Sequence, residues 1–136
     1  MTTTLETSNQ QATDLKSLAT DVVSRAMKGG ANSAECVVRE GDEFSTVVRL
    51  GQVETLKESG SRAIGVRVFF GQRAASTHSS DFSAAGIERM LKSALELARI
   101  TSEDPHAGIP DAAKLGSLTG DLDLYHEDVY SLPGPE

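Results

Sequence analysis

Gly65-Val66-Arg67-Val68-Phe69-Phe70-Gly71-Gln72-Arg73-Ala74-Ala75-Ser76-Thr77-His78 is the stretch on which the fold turns. Val66, Val68 and Phe70 recur at every second position, the period of a β-strand. Gly71 then stands first in a two-residue loop, where glycine supplies the positive φ that a type II′ hairpin needs. Pairing Phe70 with Arg73 places Val66, Val68 and Phe70 on one face with Ala75 and Thr77. Arg67, Phe69, Ala74, Ser76 and His78 fall on the other. The first face is the more apolar and is expected to receive helices.

On either side of this hairpin the same period holds, from Ala34 to about Ser80, with turn signals every eight to ten residues. The spacing predicts five strands: Ala34 to Glu40, Glu43 to Leu50, Val53 to Ser59, Arg62 to Phe70 and Arg73 to Ser79, broken at Gly41-Asp42, Gly51-Gln52, Gly60-Ser61 and Gly71-Gln72. Gly51-Gln52 is read as a second type II′ loop, so that Leu50 pairs with Val53 and Val48 faces Thr55. Leu15, Leu18, Ala19, Val22, Val23 and Ala26 mark one face of a helix from about Ala12 to Lys28, closed by Gly29-Gly30. A second helix follows the N-cap Ser83, with Ile87, Met90, Leu91, Ala94, Leu97 and Ala98 in one stripe. Glu88 and Lys92 are placed to pair across one of its turns. Beyond Thr101 come all four prolines and one short candidate strand, Leu122 to Tyr125. The expected fold is α+β: a five-stranded antiparallel meander with two helices on one face and an extended C-terminal tail. Residues 1–11 are expected to be flexible, 12–100 to form the domain and 101–136 to lead toward an absent C-terminal domain.

The chain has 136 residues, 38% hydrophobic and 24% charged, which suits one domain. No apolar run approaches a membrane span and the first residues lack a secretory pattern, so a cytoplasmic protein is expected. Cys36 is the single cysteine and cannot close an intrachain disulfide. The net charge of −7 resides in the tail, because residues 1–100 balance acids against bases while residues 101–136 set eight acids against Lys114. That distribution disfavours nucleic acid, whose phosphates attract clustered Lys and Arg.

Catalytic chemistry is thin. Two histidines a helical turn apart with a carboxylate between them would suggest zinc hydrolysis, but His78, His106 and His126 are scattered. A Cys36–His78 nucleophilic pair is opposed by strand order, which separates the first and fifth strands by roughly 19 Å, and Cys36 alternates with Ala34 and Val38 as a small core residue would. Ser76-Thr77-His78-Ser79-Ser80-Asp81 has the letters of a triad without its geometry, since neighbours on a strand point oppositely. Asp81 and Ser83 are better read as caps of the second helix. No phosphate-binding glycine loop lies between a strand and a helix. What remains is the second sheet face, where Val47, Leu56 and Phe69 interleave with Arg39, Arg49, Arg67 and His78, and where Ala63 and Gly65 leave room for another backbone. Arg49, Arg67, Phe69 and His78 are the candidate partner or peptide surface.

Taken in order, Gly30-Ala31-Asn32-Ser33-Ala34-Glu35, Gly51-Gln52-Val53-Glu54, Gly65 to Arg73 and Ser79-Ser80-Asp81-Phe82-Ser83 resemble the N-terminal domain of the TldD/PmbA family, also called the modulator of DNA gyrase family. Ala98 to Pro105 and Asp121-Leu122-Asp123-Leu124-Tyr125 are most similar to its PmbA, or TldE, branch. The resemblance runs from about Leu15 to Leu132. It implies a bacterial cytosolic metallopeptidase system in which TldD-type and PmbA-type subunits associate to cleave peptides or unfolded proteins, antitoxins among them. The metal, zinc by expectation, belongs to the C-terminal domain of the TldD-type subunit, and this chain is expected to bind none. The implied role is a non-catalytic part of a subunit interface or substrate chamber, partnered by a TldD-type subunit or by a C-terminal domain of its own protein, with no membrane contact. The alternative is a stand-alone interaction module for gyrase or an antitoxin. A third reading is a small enzyme using Cys36.

Overall fold

The computed structural model describes residues 3–117, 119–124, 126 and 128. In chain order the elements are α1 (Thr3–Lys28), β1 (Ser33–Arg49), β2 (Gln52–Phe70), β3 (Arg73–Ser79), α2 (Ala84–Ile100) and a single 3-10 turn, Ala112–Lys114. α1 begins nine residues before the expected Ala12. The class is α+β, but the sheet has three antiparallel strands in the order β1-β2-β3 and not five. The first two expected strands are one continuous strand, and so are the third and fourth.

The reason lies in the glycines. Gly51 and Gly71 have φ of 76° and 59° and make real reversals, whereas neither Gly41 nor Gly60 has a positive φ. A Cβ on Gly60 would lie 3.0 Å from Asp42 Oδ1. That atom is the end of an exposed side chain that can move aside, so Gly60, like Gly41, is a strand residue and not a turn. At the first reversal Leu50 also has positive φ, 53°. Leu50 and Gly51 are thus the loop residues of a type I′ turn, one position earlier than the expected Gly51-Gln52 loop.

The chain forms two compact units, Met1–Glu43 with Ser59–Ile109 and Phe44–Glu58 with Pro110–Glu136. In the first unit β2 and β3 pair as expected, from Phe70 opposite Arg73 through Val68 opposite Ala75 and Val66 opposite Thr77 to Ile64 opposite Ser79. Ile64, Val66 and Val68 meet Val22 and Ala26 of α1 and Ile87, Met90, Leu91, Ala94 and Ala98 of α2 in one buried cluster. Both helices thus cover the same sheet face, and removing these side chains from water is the main force holding the unit. α1 ends in a Schellman motif: Gly30, with φ of 97°, donates its N–H to Met27 O, and Ala31 donates to Ala26 O. Asn32 then ties the helix exit to the sheet, its N–H donating to Phe69 O at 2.8 Å and its Oδ1 accepting from Gly71 N at 2.7 Å.

α2 starts where Ser83 Oγ accepts from Gly86 N, and Asp81 Oδ1 in turn accepts from Ser83 N. Gly86 is required by space, since a Cβ there would sit 2.4 Å from the Asp81 carboxyl carbon. Glu88 pairs with Arg25 of α1 and not with Lys92, which approaches Glu96 at 3.9 Å. Thr77 Oγ1 donates to Met90 O and pins β3 to α2.

In the second unit Phe44–Glu58 is the end of the β1–β2 hairpin, with Arg49 and Glu54 ion-paired at 3.4 Å beside the turn. Asp111 Oδ1 accepts from Ala113 N and caps the 3-10 turn. Leu122–Leu124 forms no strand. Tyr125, the remaining residue of that expected strand, and Leu132, the end of the resemblance, lie outside the described residues. No helix among the described residues is long and apolar enough to cross a membrane.

Candidate functional site

The sheet face turned away from the helices carries a shallow groove of about 300 Å³, lined by Glu35, Val37, Gly65, Arg67, Ser76 and His78. Alternation along β2 and β3 puts these residues here: Gly65 is opposite His78 and Arg67 opposite Ser76, one step out of phase with the core-facing Val66 and Val68. Glu35 belongs to the same face because its Oε1 lies 2.6 Å from Arg67 Nε. Both side chains of that pair are 43% exposed, so solvent screens them and the pair orients Arg67 more than it stabilises the fold. The Arg67 guanidinium also lies 5.0 Å from the centre of the Phe69 ring, a cation–π contact. Phe69 is only 2% exposed although it points away from the main core. Gly65 leaves the floor open, since the nearest atoms to a Cβ there are Thr77 O at 3.8 Å and His78 Cβ at 3.9 Å.

Of the four candidate residues, Arg67, Phe69 and His78 share this face. Arg49 belongs to the other unit, where it pairs with Glu54. Val47 and Leu56 are also in that other unit, and Arg39 does not line the groove. Glu35, Val37 and Ser76 line the groove and were missed as site residues. The signal for Glu35 was its place in the alternation of the first strand, but five sequential strands set that strand three positions away from the one carrying Arg67.

Cys36 and His78 do not meet. The spacing reason fails, because β1 and β3 both flank β2 and lie about 10 Å apart. Face separates them: Cys36 packs with Ala34 and Val38 against the core, whereas His78 lines the far groove. Burial also pushes the Cys36 thiol up, away from reactive thiolate. Asp81 serves the α2 cap, where its hydrogen bonds from Ser83, helped by Arg89 and Arg62, hold its carboxyl below the usual range. A second cleft, about 370 Å³ between α1 and α2, is lined by Arg25, Glu88, Lys92, Glu96 and Arg99. Its charges are spent on one another and on Gly29 O, to which Arg99 donates at 2.9 Å.

A metal needs three or four converging N, O or S donors. Among the described residues no three of His, Cys, Asp and Glu converge in that way. The described residues do not fit the metal of a metallopeptidase.

Residues 34–98 match the family model described as PmbA/TldA metallopeptidase domain 1. The chain is 36% identical over 109 residues to metalloprotease PmbA of Escherichia coli O157:H7, covering 78% of this chain and 24% of that protein. It is 32% identical over 116 residues to the Haemophilus influenzae PmbA homolog, covering 85% and 26%. The chain thus spans about a quarter of the length of these relatives. Its fold matches a crystal structure from Bacteroides thetaiotaomicron described as a modulator of DNA gyrase, with a TM-score of 0.77 at 19% identity, over 87% of this chain and 27% of that one. It also matches TldE from Thermococcus kodakarensis, with a TM-score of 0.58 at 14% identity, over 69% and 21%. The hairpins turning at Gly51 and Gly71 and the Asp81–Ser83 helix start all fall within the matched residues 34–98, and the chain belongs to the TldD/PmbA family as a PmbA/TldE-like N-terminal domain.

Proposed function

We propose that this domain is a non-catalytic part of a TldD/PmbA metallopeptidase system, contributing the wall of a substrate chamber or part of a subunit interface. The observation that carries this reading is the far-face groove. Covering one sheet face with two helices completes a two-layer domain, and the other face still holds the buried Phe69 ring, a directed Arg67 and an open floor at Gly65. An extended peptide or a neighbouring domain fits such a surface, with Arg67 and His78 offering donors to its carbonyl or carboxylate oxygens. The partner in this reading is a TldD-type subunit, or a C-terminal domain of the same protein. It brings the catalytic metal, zinc, in the cytoplasm of a bacterium. Residues 12–100 act as the domain and 101–136 as the segment leading onward.

The test is peptide cleavage by this chain alone, with a TldD-type partner, and with that partner plus a chelator. Chelator-sensitive cleavage that needs the partner and rises with this domain supports the proposal. Turnover by the chain alone refutes it, and binding of a protein target without cleavage in any mixture favours a stand-alone interaction module.

A further inference from the structure

We infer that the outer edge of β1, from Glu43 to Arg49, pairs with the same strand of a second copy of this chain about a two-fold axis. β1 is a terminal strand of the sheet, so among the described residues the backbone row on its outer side has no ladder partner. Among the described residues no backbone hydrogen bond from outside the sheet reaches this stretch. Natural edge strands are protected from pairing by Pro, Lys, bulges or a covering element. Glu43-Phe44-Ser45-Thr46-Val47-Val48-Arg49 has no Pro, Gly or Lys, and Thr46, Val47 and Val48 are β-branched. Apolar side chains stand open on both faces of the strand, with Phe44 54%, Val47 47% and Val48 62% exposed.

The occupant follows from the order of the residues. Laid antiparallel against itself about Thr46, the strand sets Glu43 of one copy opposite Arg49 of the other, Phe44 opposite Val48, and Ser45 opposite Val47, each twice. Opposite charges meet at both ends and an aromatic ring meets a β-branched side chain between them, the pairings that favour an antiparallel ladder. A strand complementary to its own reverse is what an isologous two-fold contact requires, since residue i meets j and j meets i. A general partner surface has no reason to satisfy that condition. The Arg49–Glu54 pair is 3.4 Å long and largely exposed, so it leaves Arg49 able to face a second carboxylate. This inference does not rest on the far-face groove or on the peptidase reading.

Sedimentation of the whole chain over a wide concentration range tests it. The unmodified chain is expected to show a concentration-dependent dimer. Glu43→Arg and Arg49→Glu each put like charges at both ends of the ladder, and each should weaken dimerisation at least about tenfold. Mixed one to one, the two variants should dimerise again, because each end of the mixed ladder sets an arginine opposite a glutamate once more. Val48→Glu, at an exposed position, should give the same loss if either charge variant proves misfolded by circular dichroism. A chain that stays monomeric throughout, a dimer indifferent to these changes, as a contact through another surface would be, or a mixture that fails to recover would overturn the inference.

Discussion

Reversing the Glu35–Arg67 pair discriminates between three strands and five. The ion pair exists only because residues 34–40 lie directly beside 62–70. At about 4 Å two unit charges interact by about 4 kcal/mol at an effective dielectric of 20 and about 1 kcal/mol in bulk water. With both side chains 43% exposed, the contribution is discounted to about 0.5–1 kcal/mol. Glu35→Arg replaces attraction by repulsion and should cost about 1–2 kcal/mol. Arg67→Glu should cost that much and about 0.5 kcal/mol more, because the cation–π contact with Phe69 is also lost. The double reversal restores an opposite-charge pair, so its cost should fall short of the sum by about 1–2 kcal/mol. Urea unfolding at low ionic strength measures this coupling, which should shrink in 1 M salt as screening shortens to about 3 Å. In a five-stranded meander these positions are three strand spacings apart, roughly 14 Å, beyond the screening length of about 10 Å in 0.1 M salt. Additivity within about 0.3 kcal/mol would therefore refute the long-hairpin topology.

Three further outcomes are expected. Cys36 should react with a thiol reagent at neutral pH at least about tenfold more slowly in the folded chain than in urea, because burial pushes its thiol up; equal rates would mean that the strand face is misassigned. Asp81 has a carboxyl held below its ordinary value, so the stability it adds is present above the unfolded value near about 3.9 and is lost as pH falls through the lower folded value. The stability gap between the native chain and Asp81→Asn should thus close on going from pH 7 to pH 2, and a gap that widens would reverse the assignment. Gly86→Ala places a Cβ 2.4 Å from the Asp81 carboxyl and 2.6 Å from Asp81 O. It should destabilise by about 1–3 kcal/mol through overpacking and speed amide exchange at the start of α2; an unchanged urea midpoint would show that the cap yields freely.

Part of this was readable from the residues alone. The β2–β3 hairpin follows from its alternation and from Gly71, because one face is strongly apolar and a slip of one residue would bury Arg67 and His78. α2 follows from a clean 3.6-residue stripe and the Ser83 cap. The errors in strand count share one cause: a glycine that makes a turn and a glycine that continues a strand look identical in a sequence. Gly51 and Gly71 are of the first kind, Gly41 and Gly60 of the second. Reading Gly41 and Gly60 as turns cut two long strands into four, and that removed Glu35 from the neighbourhood of Arg67. The shift at the first hairpin has another source. Leucine seldom adopts φ near 53°, so the preference for glycine at positive φ pointed to Gly51-Gln52 when the loop is Leu50-Gly51.

Leu50 bears on what the hairpin is for. A type I′ turn is served best by Asn-Gly or Asp-Gly, whose first residue tolerates positive φ and is at home in water. Here that position holds a leucine that is 96% exposed, flanked by exposed Val47, Val48 and Val53. Intramolecular packing gains nothing from an apolar side chain so open to solvent, and the local conformation disfavours it. Substituting asparagine should relieve the backbone and reduce exposed apolar surface together, so Leu50→Asn is expected to stabilise the fold against urea by about 0.5–1 kcal/mol. If the hairpin end works as a contact element, the same change leaves far-face chemistry at Arg67 untouched while lowering association measured by sedimentation. A variant that is more stable and associates as before would leave the exposed leucine without a role in assembly.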